Sequence, residues 1–237
     1  MATLASNAPS AIEHERQFFL FMSLLLIAAA LLGFGYFQYA GISSWGAPWW
    51  VHVHAVSQMG WLGFFALQNT LIVRGDVALH RRLGVFGAFY GAWLVLIGMS
   101  LSIVNIATGS GDRMFPPAHL LALNGATMLT FAGLFVAALL KRGQSDWHKR
   151  LMLSAVAALS LPSFGRILIM LDVPSTLNRT LIVLSIIVIG MVFDWRTRGN
   201  VHPAYIWGAG AVVVMGGLIA ALPLLPQFVG LAASIAG

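Results

Sequence analysis

Seven histidines are the only soft metal ligands this chain has in quantity, because it contains no cysteine. Without thiolates there is no disulfide, no thiolate metal site and no iron–sulfur cluster. His52, His54 and His119 open two apolar runs, and His80, His148 and His202 open three others. Successive runs that cross in alternating directions put the first set in one layer and the second in the other. His14 stands apart in a polar tail. Neutral imidazole is the commonest biological metal ligand. Three imidazoles from His52, His54 and His119, or from His80, His148 and His202, suit zinc, copper or iron with one position left open. Two imidazoles on facing helices suit the axial positions of a haem iron instead. A histidine at a helix end also serves a plainer purpose, hydrogen-bonding a neighbouring loop and nothing else.

The runs that must position these side chains repeat. Arg74-Gly75-Asp76-Val77-Ala78-Leu79-His80-Arg81-Arg82-Leu83 aligns without a gap on Arg142-Gly143-Gln144-Ser145-Asp146-Trp147-His148-Lys149-Arg150-Leu151, an offset of 148 − 80 = 68 residues. The common pattern is R-G-x4-H-(R/K)-R-L. Pro48 with His52 and His54 opens the run before the first copy, and Pro116-Pro117 with His119 opens the run before the second. A fixed-period self-similarity of this kind reads as a duplicated two-helix hairpin. The hairpins span about 47–107 and 115–171, and a partial third, turned at Arg198-Gly199, spans 173–222.

Composition sets the class. The chain is 59% hydrophobic and 8% charged, against about 25% charged for a soluble domain. Apolar stretches of about 20 residues, with charge confined between them, predict membrane-spanning helices. The expected architecture is an all-α integral membrane bundle of about seven helices: 16–39, 49–73, 80–106, 116–140, 146–171, 174–192 and 203–222. Residues 1–15 read as a polar tail and 16–237 as one transmembrane domain, with an interfacial segment after Pro223. Asp146 is the expected N-cap of the fifth helix. Ten basic residues (Arg16, Arg74, Arg81, Arg82, Lys141, Arg142, Lys149, Arg150, Arg196, Arg198) fall on one side, and Arg113 and Arg179 on the other. That asymmetry puts the N-terminus in the cytoplasm of a bacterial-type inner membrane. It also accounts for the net charge of +6 without nucleic acid. Trp45, Trp49, Trp50, Trp147 and Trp195 read as interfacial anchors. Gln68, Asn69, Asn105 and Asn124 read as interhelical hydrogen bonds, and Gly60, Gly63, Gly84, Gly87 and Gly91 as close helix contacts.

Missing motifs narrow the field. There is no P-loop, G-x-S-x-G, H-E-x-x-H or dinucleotide fingerprint, and the sequence does not settle whether the protein is an enzyme. No lysine falls within an apolar run, which excludes a retinal Schiff base. No acidic residue does either, which argues against a proton- or sodium-coupled transporter.

With His54 facing His119 and His80 facing His148 at matched depths, the layout of residues 47–171 resembles the transmembrane di-haem b-type cytochromes. The resemblance implies a four-helix core binding two b-type haems and an electron-transfer function served by a quinone or a redox partner protein. It also implies that Arg81, with Arg82, Lys149 and Arg150, is placed to meet the inner haem's propionates. The R-G-x4-H-(R/K)-R-L repeat is itself similar to a group of uncharacterised bacterial multi-span proteins. Arg166 is expected in the outer layer, roughly 27 Å along its helix from His148. An arginine at such depth is a functional-site candidate, suited to a propionate, an anionic lipid or a substrate carboxylate. Two other readings stand beside the redox one. One is a non-haem metal protein using the histidine clusters. The other is a non-catalytic subunit or assembly factor of a larger membrane complex.

Overall fold

The computed structural model describes residues 11–109 and 115–237. Residues 1–10 of the expected tail and 110–114, which include Asp112 and Arg113 of the expected outer loop, lie outside the described residues. Among the described residues there is helix and no strand. In chain order the helices are α1 (Ala11–Tyr39), α2 (Trp49–Val73), α3 (Val77–Ala107), α4 (Pro117–Leu140), α5 (Ser145–Leu159), α6 (Leu161–Met170), α7 (Thr176–Arg198), α8 (Pro203–Ala221) and α9 (Pro226–Ala236). A 3-10 turn, Leu222–Leu224, joins the last two.

Local sequence explains most of these boundaries. Pro48 and Pro116 precede α2 and α4 in nearly the same extended conformation, φ −56° with ψ 148° and 150°. Asp76 caps α3 by accepting from the Leu79 N–H, and Ser175 caps α7 by accepting from the Asn178 N–H. Such caps satisfy donors that a helix start leaves without partners. Gly199 ends α7 in the left-handed region at φ 74°, where a Cβ would be penalised. Asp146 is not the cap expected of it. It lies one residue inside α5, whose N-cap position is Gln144, and its carboxylate is taken up by ion pairs.

Among the described residues, five helices are long and apolar enough to cross a membrane: Ile12–Tyr39, Val77–Ala107, Pro117–Leu140, Thr176–Arg198 and Pro203–Leu224. The fifth expected helix is broken. α5 and α6 meet at a 46° bend, and together they form one further candidate span. Pro162 is the cause, since it lacks an N–H and its ring crowds the carbonyl four residues back. α2 has the length, 25 residues, but is not among the apolar candidates. Its two histidines, Gln58, Gln68 and Asn69 dilute its hydropathy. Large apolar side chains such as Phe21, Leu31, Phe89, Leu96, Leu129 and Val214 face outward. That surface suits lipid and would aggregate in water. The chain is a helical membrane protein.

Helices pack in sequence around α4. α1 lies on α2 and α6, α2 on α3, α3 on α4, α4 on α5 and α8, and α7 on α8. The buried Trp61 of α2 meets Tyr90 of α3 and Phe131 and Phe135 of α4 edge to face, with ring centroids 5.5–5.8 Å apart. The tail expected to be interfacial folds back as α9 against α3 and α4. Of the five expected small-residue contacts, three are real. A Cβ on Gly60 would meet Tyr90, on Gly87 Phe64, and on Gly91 Phe135, whereas Gly63 and Gly84 face open space.

Candidate functional site

The inner histidines come together. The rings of His80 and His148 lie 6.5 Å apart, edge to face at 81°. This places the turns before α3 and α5 at one end of the bundle. His148 Nδ1–H donates to the Ala138 carbonyl at 2.8 Å. Its Nε2 is then the atom with a free lone pair, the orientation usual for a metal-bound histidine with a carbonyl behind it. His80 Nδ1 is buried without a hydrogen-bond partner. Two imidazoles on one metal, each with its nitrogen about 2 Å from the ion, put their ring centres roughly 6 Å apart. The observed separation of the ring centres is of that order. Arg81 is exposed in the next position, with Arg82 beside it.

The outer histidines separate. His54 lines a small cavity of about 60 Å³ in mid-bundle, with Gln58, Asn124, Ser160 and Ser163. His119 lines a different and larger cavity at the bundle's end. The expected His54–His119 pair shares no cavity, because α4 turns His119 towards α7 and α9 while α2 turns His54 towards the α5–α6 break. The mid-bundle cavity has room for a few waters, not for a macrocycle, since ligand pockets run to about 300–1,000 Å³. His54 Nδ1 and Gln58 Nε2 have no protein partner. His52 is engaged locally, donating to the Trp45 carbonyl at 3.2 Å and stacking on its ring. Among the described residues no three histidine, aspartate or glutamate side chains converge as a metal set.

Arg166 lies on α6, beyond the bend, so it is not on a straight continuation from His148. Its guanidinium stacks over Phe34 at 4.1 Å and donates to the Pro162 carbonyl at 3.1 Å. The other expected polar contacts divide. Asn105 accepts from Trp50 across α2 and α3 at 3.3 Å. Asn69 instead bonds within its own helix, to Phe65. Buried Gln68 has no partner at either amide atom.

Sequence reasoning missed the largest polar feature, an ion network at the end of the bundle that carries His148. Arg150 is fully buried. Its Nε and Nη2 grip both oxygens of Asp194 at 2.8 and 2.6 Å, and Nη2 also reaches Glu15 at 2.9 Å. Arg198 bridges Glu15 at 2.6 Å and Asp146 at 3.0 Å, and Lys149 joins the same two acids at 2.7 Å each. Three acids and three bases balance, tying α1, α5 and α7. Lys149 and Arg150 are thus committed to carboxylates and not to a propionate. Asp194 also corrects the expectation of no acid within a helix, since α7 runs on to Arg198 and carries it inside, fully buried. The signal was present: one aspartate closing an otherwise apolar run, two residues before Arg196.

His202 stands beside this network. It is the N-cap of α8, its Nδ1 accepting from the Ala204 N–H at 3.2 Å, and its ring meets Trp147 edge-on. Burial, and then the charge of Arg150, hold its pKa below the ordinary 6.5. The unfolded chain therefore takes up this proton more readily. The cap's contribution is present above about pH 6.5 and is lost as pH falls below it. His202→Ala is expected to cost about 1 kcal/mol near pH 7.5. His202→Asn, which keeps a capping acceptor that does not titrate, should hold stability and flatten its fall between pH 7 and 5. Thermal unfolding in detergent at stepped pH checks both. An unchanged pH dependence in His202→Asn would contradict the cap's role.

Comparison with known proteins finds no matching family model, no matching curated protein and no matching solved structure.

Proposed function

We propose that this chain is a membrane redox protein in which His80 and His148 bind one b-type haem at the inner face. The observation that carries the reading is the approach of two half-buried imidazoles, one with its tautomer set by a backbone carbonyl and the other with an orphaned nitrogen. A haem held there would supply one-electron transfer, with a quinone or a redox protein as partner. The protein's own part is orientation. Ala138 fixes the His148 ring, the α2–α3 turn presents His80, and Arg81, with Arg82 beside it, is exposed and placed to meet a propionate. The reading takes seven spans, with α2 counted because it lies between α1 and α3 and is as long as its neighbours. It takes the basic end as cytoplasmic, in a bacterial-type inner membrane. It also takes the two hairpins as duplicates. In support, helix starts repeat at the offset of the sequence motif, 117 − 49 = 68 and 145 − 77 = 68.

The visible spectrum of the full chain, expressed with ample haem precursor and iron, decides. One reducible haem per chain is expected. His80→Ala and His148→Ala should each abolish it, while His54→Ala and His119→Ala should retain it. A colourless protein with one zinc, copper or iron per chain would assign the pair to a non-haem metal instead. A protein with neither would leave the inner histidines structural, in a non-catalytic subunit or assembly factor.

A further inference from the structure

The end of the bundle opposite the ion network holds a cavity of about 600 Å³. Its size is that of a site for a small organic molecule. One side is apolar, with Phe115, Ile169 and Val229 from three separate segments. The other side is positive. The first turn of α4 contributes His119, and the start of α7 contributes Ser175 and Thr176. Two helix N-termini thus face one space. Each brings backbone N–H groups without intrahelical partners and the positive end of a helix dipole.

A second, independent observation is Arg179. It lines the same cavity and is only 7% exposed. Its guanidinium lies over the Phe115 ring at 5.0 Å. Among the described residues no carboxylate pairs with it, in contrast to Arg150, which is fully buried and meets three acids. Burying a cation without a counter-ion costs several kcal/mol. A cavity beside it, walled by two helix starts, is where such a counter-ion would sit. Gly165 clears the space, since a Cβ there would lie 3.2 Å from Arg179 Nε.

We propose that this cavity binds an oxyanion, a phosphate or carboxylate, borne on an amphipathic molecule whose apolar part lies against Phe115, Ile169 and Val229. Arg179 is the charge partner, the α7 start and His119 are the hydrogen-bond donors, and the membrane's own anionic lipids are the nearest source. The site is at the other end of the bundle from His80 and His148, so it stands or falls apart from the redox reading.

Native mass spectrometry of the full chain in a non-ionic detergent tests it, with three probes titrated separately: phosphatidylglycerol, phosphatidylcholine and inorganic phosphate. The wild type should retain phosphatidylglycerol at least about tenfold more tightly than phosphatidylcholine, the margin of one strong charge-assisted contact. Arg179→Gln should lose that margin and Arg179→Lys should keep most of it. Arg196→Gln, an exposed position at the other end, should leave it unchanged. If Arg179→Gln fails to fold, Val229→Trp serves instead, since it fills the cavity without touching the charge and should displace the lipid. Binding of inorganic phosphate with the same dependence on Arg179, and no preference among lipids, would assign the site to a soluble oxyanion. Equal retention of both lipids with no phosphate binding, or full phosphatidylglycerol affinity in Arg179→Gln or Val229→Trp, would overturn the proposal.

Discussion

Arg150→Ala is expected to destabilise the protein by about 3–5 kcal/mol, the cost of breaking a buried ion pair from one side. The change removes both grips on Asp194 and the contact with Glu15. Asp194 is then left fully buried with one donor, the His202 N–H at 3.2 Å. The sequence-aligned Arg82 is exposed, and Arg82→Ala should stay within about 0.5 kcal/mol of the wild type. Denaturant unfolding of the two variants in the same micelle makes the comparison. A double change, Arg150→Met with Asp194→Leu, should recover part of the loss, because an apolar pair of similar volume leaves no orphaned charge. Equal stability of Arg150→Ala and Arg82→Ala would mean that the network contributes nothing.

Gly33→Ala should cost about 1–3 kcal/mol, as an overpacked contact does. α1 passes α6 so closely that a Cβ on Gly33 would lie 2.5 Å from the Ser163 carbonyl oxygen and 3.2 Å from Arg166 Cβ. The first of these is backbone just past the bend, so no side-chain rotation relieves it. The helices must separate or the bend must change. Gly35, two residues on, has nothing within 4 Å of its Cβ position. Gly35→Ala should therefore be neutral or gain up to about 1 kcal/mol from helix propensity. Melting temperatures of the two variants in one detergent separate the cases. A neutral Gly33→Ala would show that α1 and α6 do not meet this closely.

Much of this molecule is legible locally. Apolar runs without charge require helices in lipid, because every backbone polar group must be satisfied within the segment. Pro48, Pro116, Asp76, Ser175 and Gly199 mark helix ends by their own covalent geometry or short-range hydrogen bonds. The break before Pro162 was legible too, although the expected fifth helix ran through it. A missing N–H is a property of the residue, not of its neighbours. Matching first turns put His80 and His148 at one end, although the meeting of their rings there is a matter of packing.

What local pattern could not decide is which face each helix turns inward. One motif, R-G-x4-H-(R/K)-R-L, yields an exposed Arg82 and a buried Arg150, because α5 packs against both α1 and α7, where Glu15 and Asp194 wait. Its first glycine, Gly75, takes a positive φ of 80° while Gly143 does not, so equal letters serve unequal turns. His54 and His119 sit within the first two turns of their helices yet line different cavities, since position along the helix is set by spacing and azimuth by packing. The sequence by itself determined a helical membrane bundle, its turns and the end at which each histidine lies. The tertiary structure decided which charges are neutralised, which imidazoles meet and which cavity each outer histidine lines. Those outcomes rest on contacts between different helices, from Arg150 with Asp194, 44 residues apart, to Glu15 with Arg198, 183 residues apart, and no periodicity within a single helix encodes them.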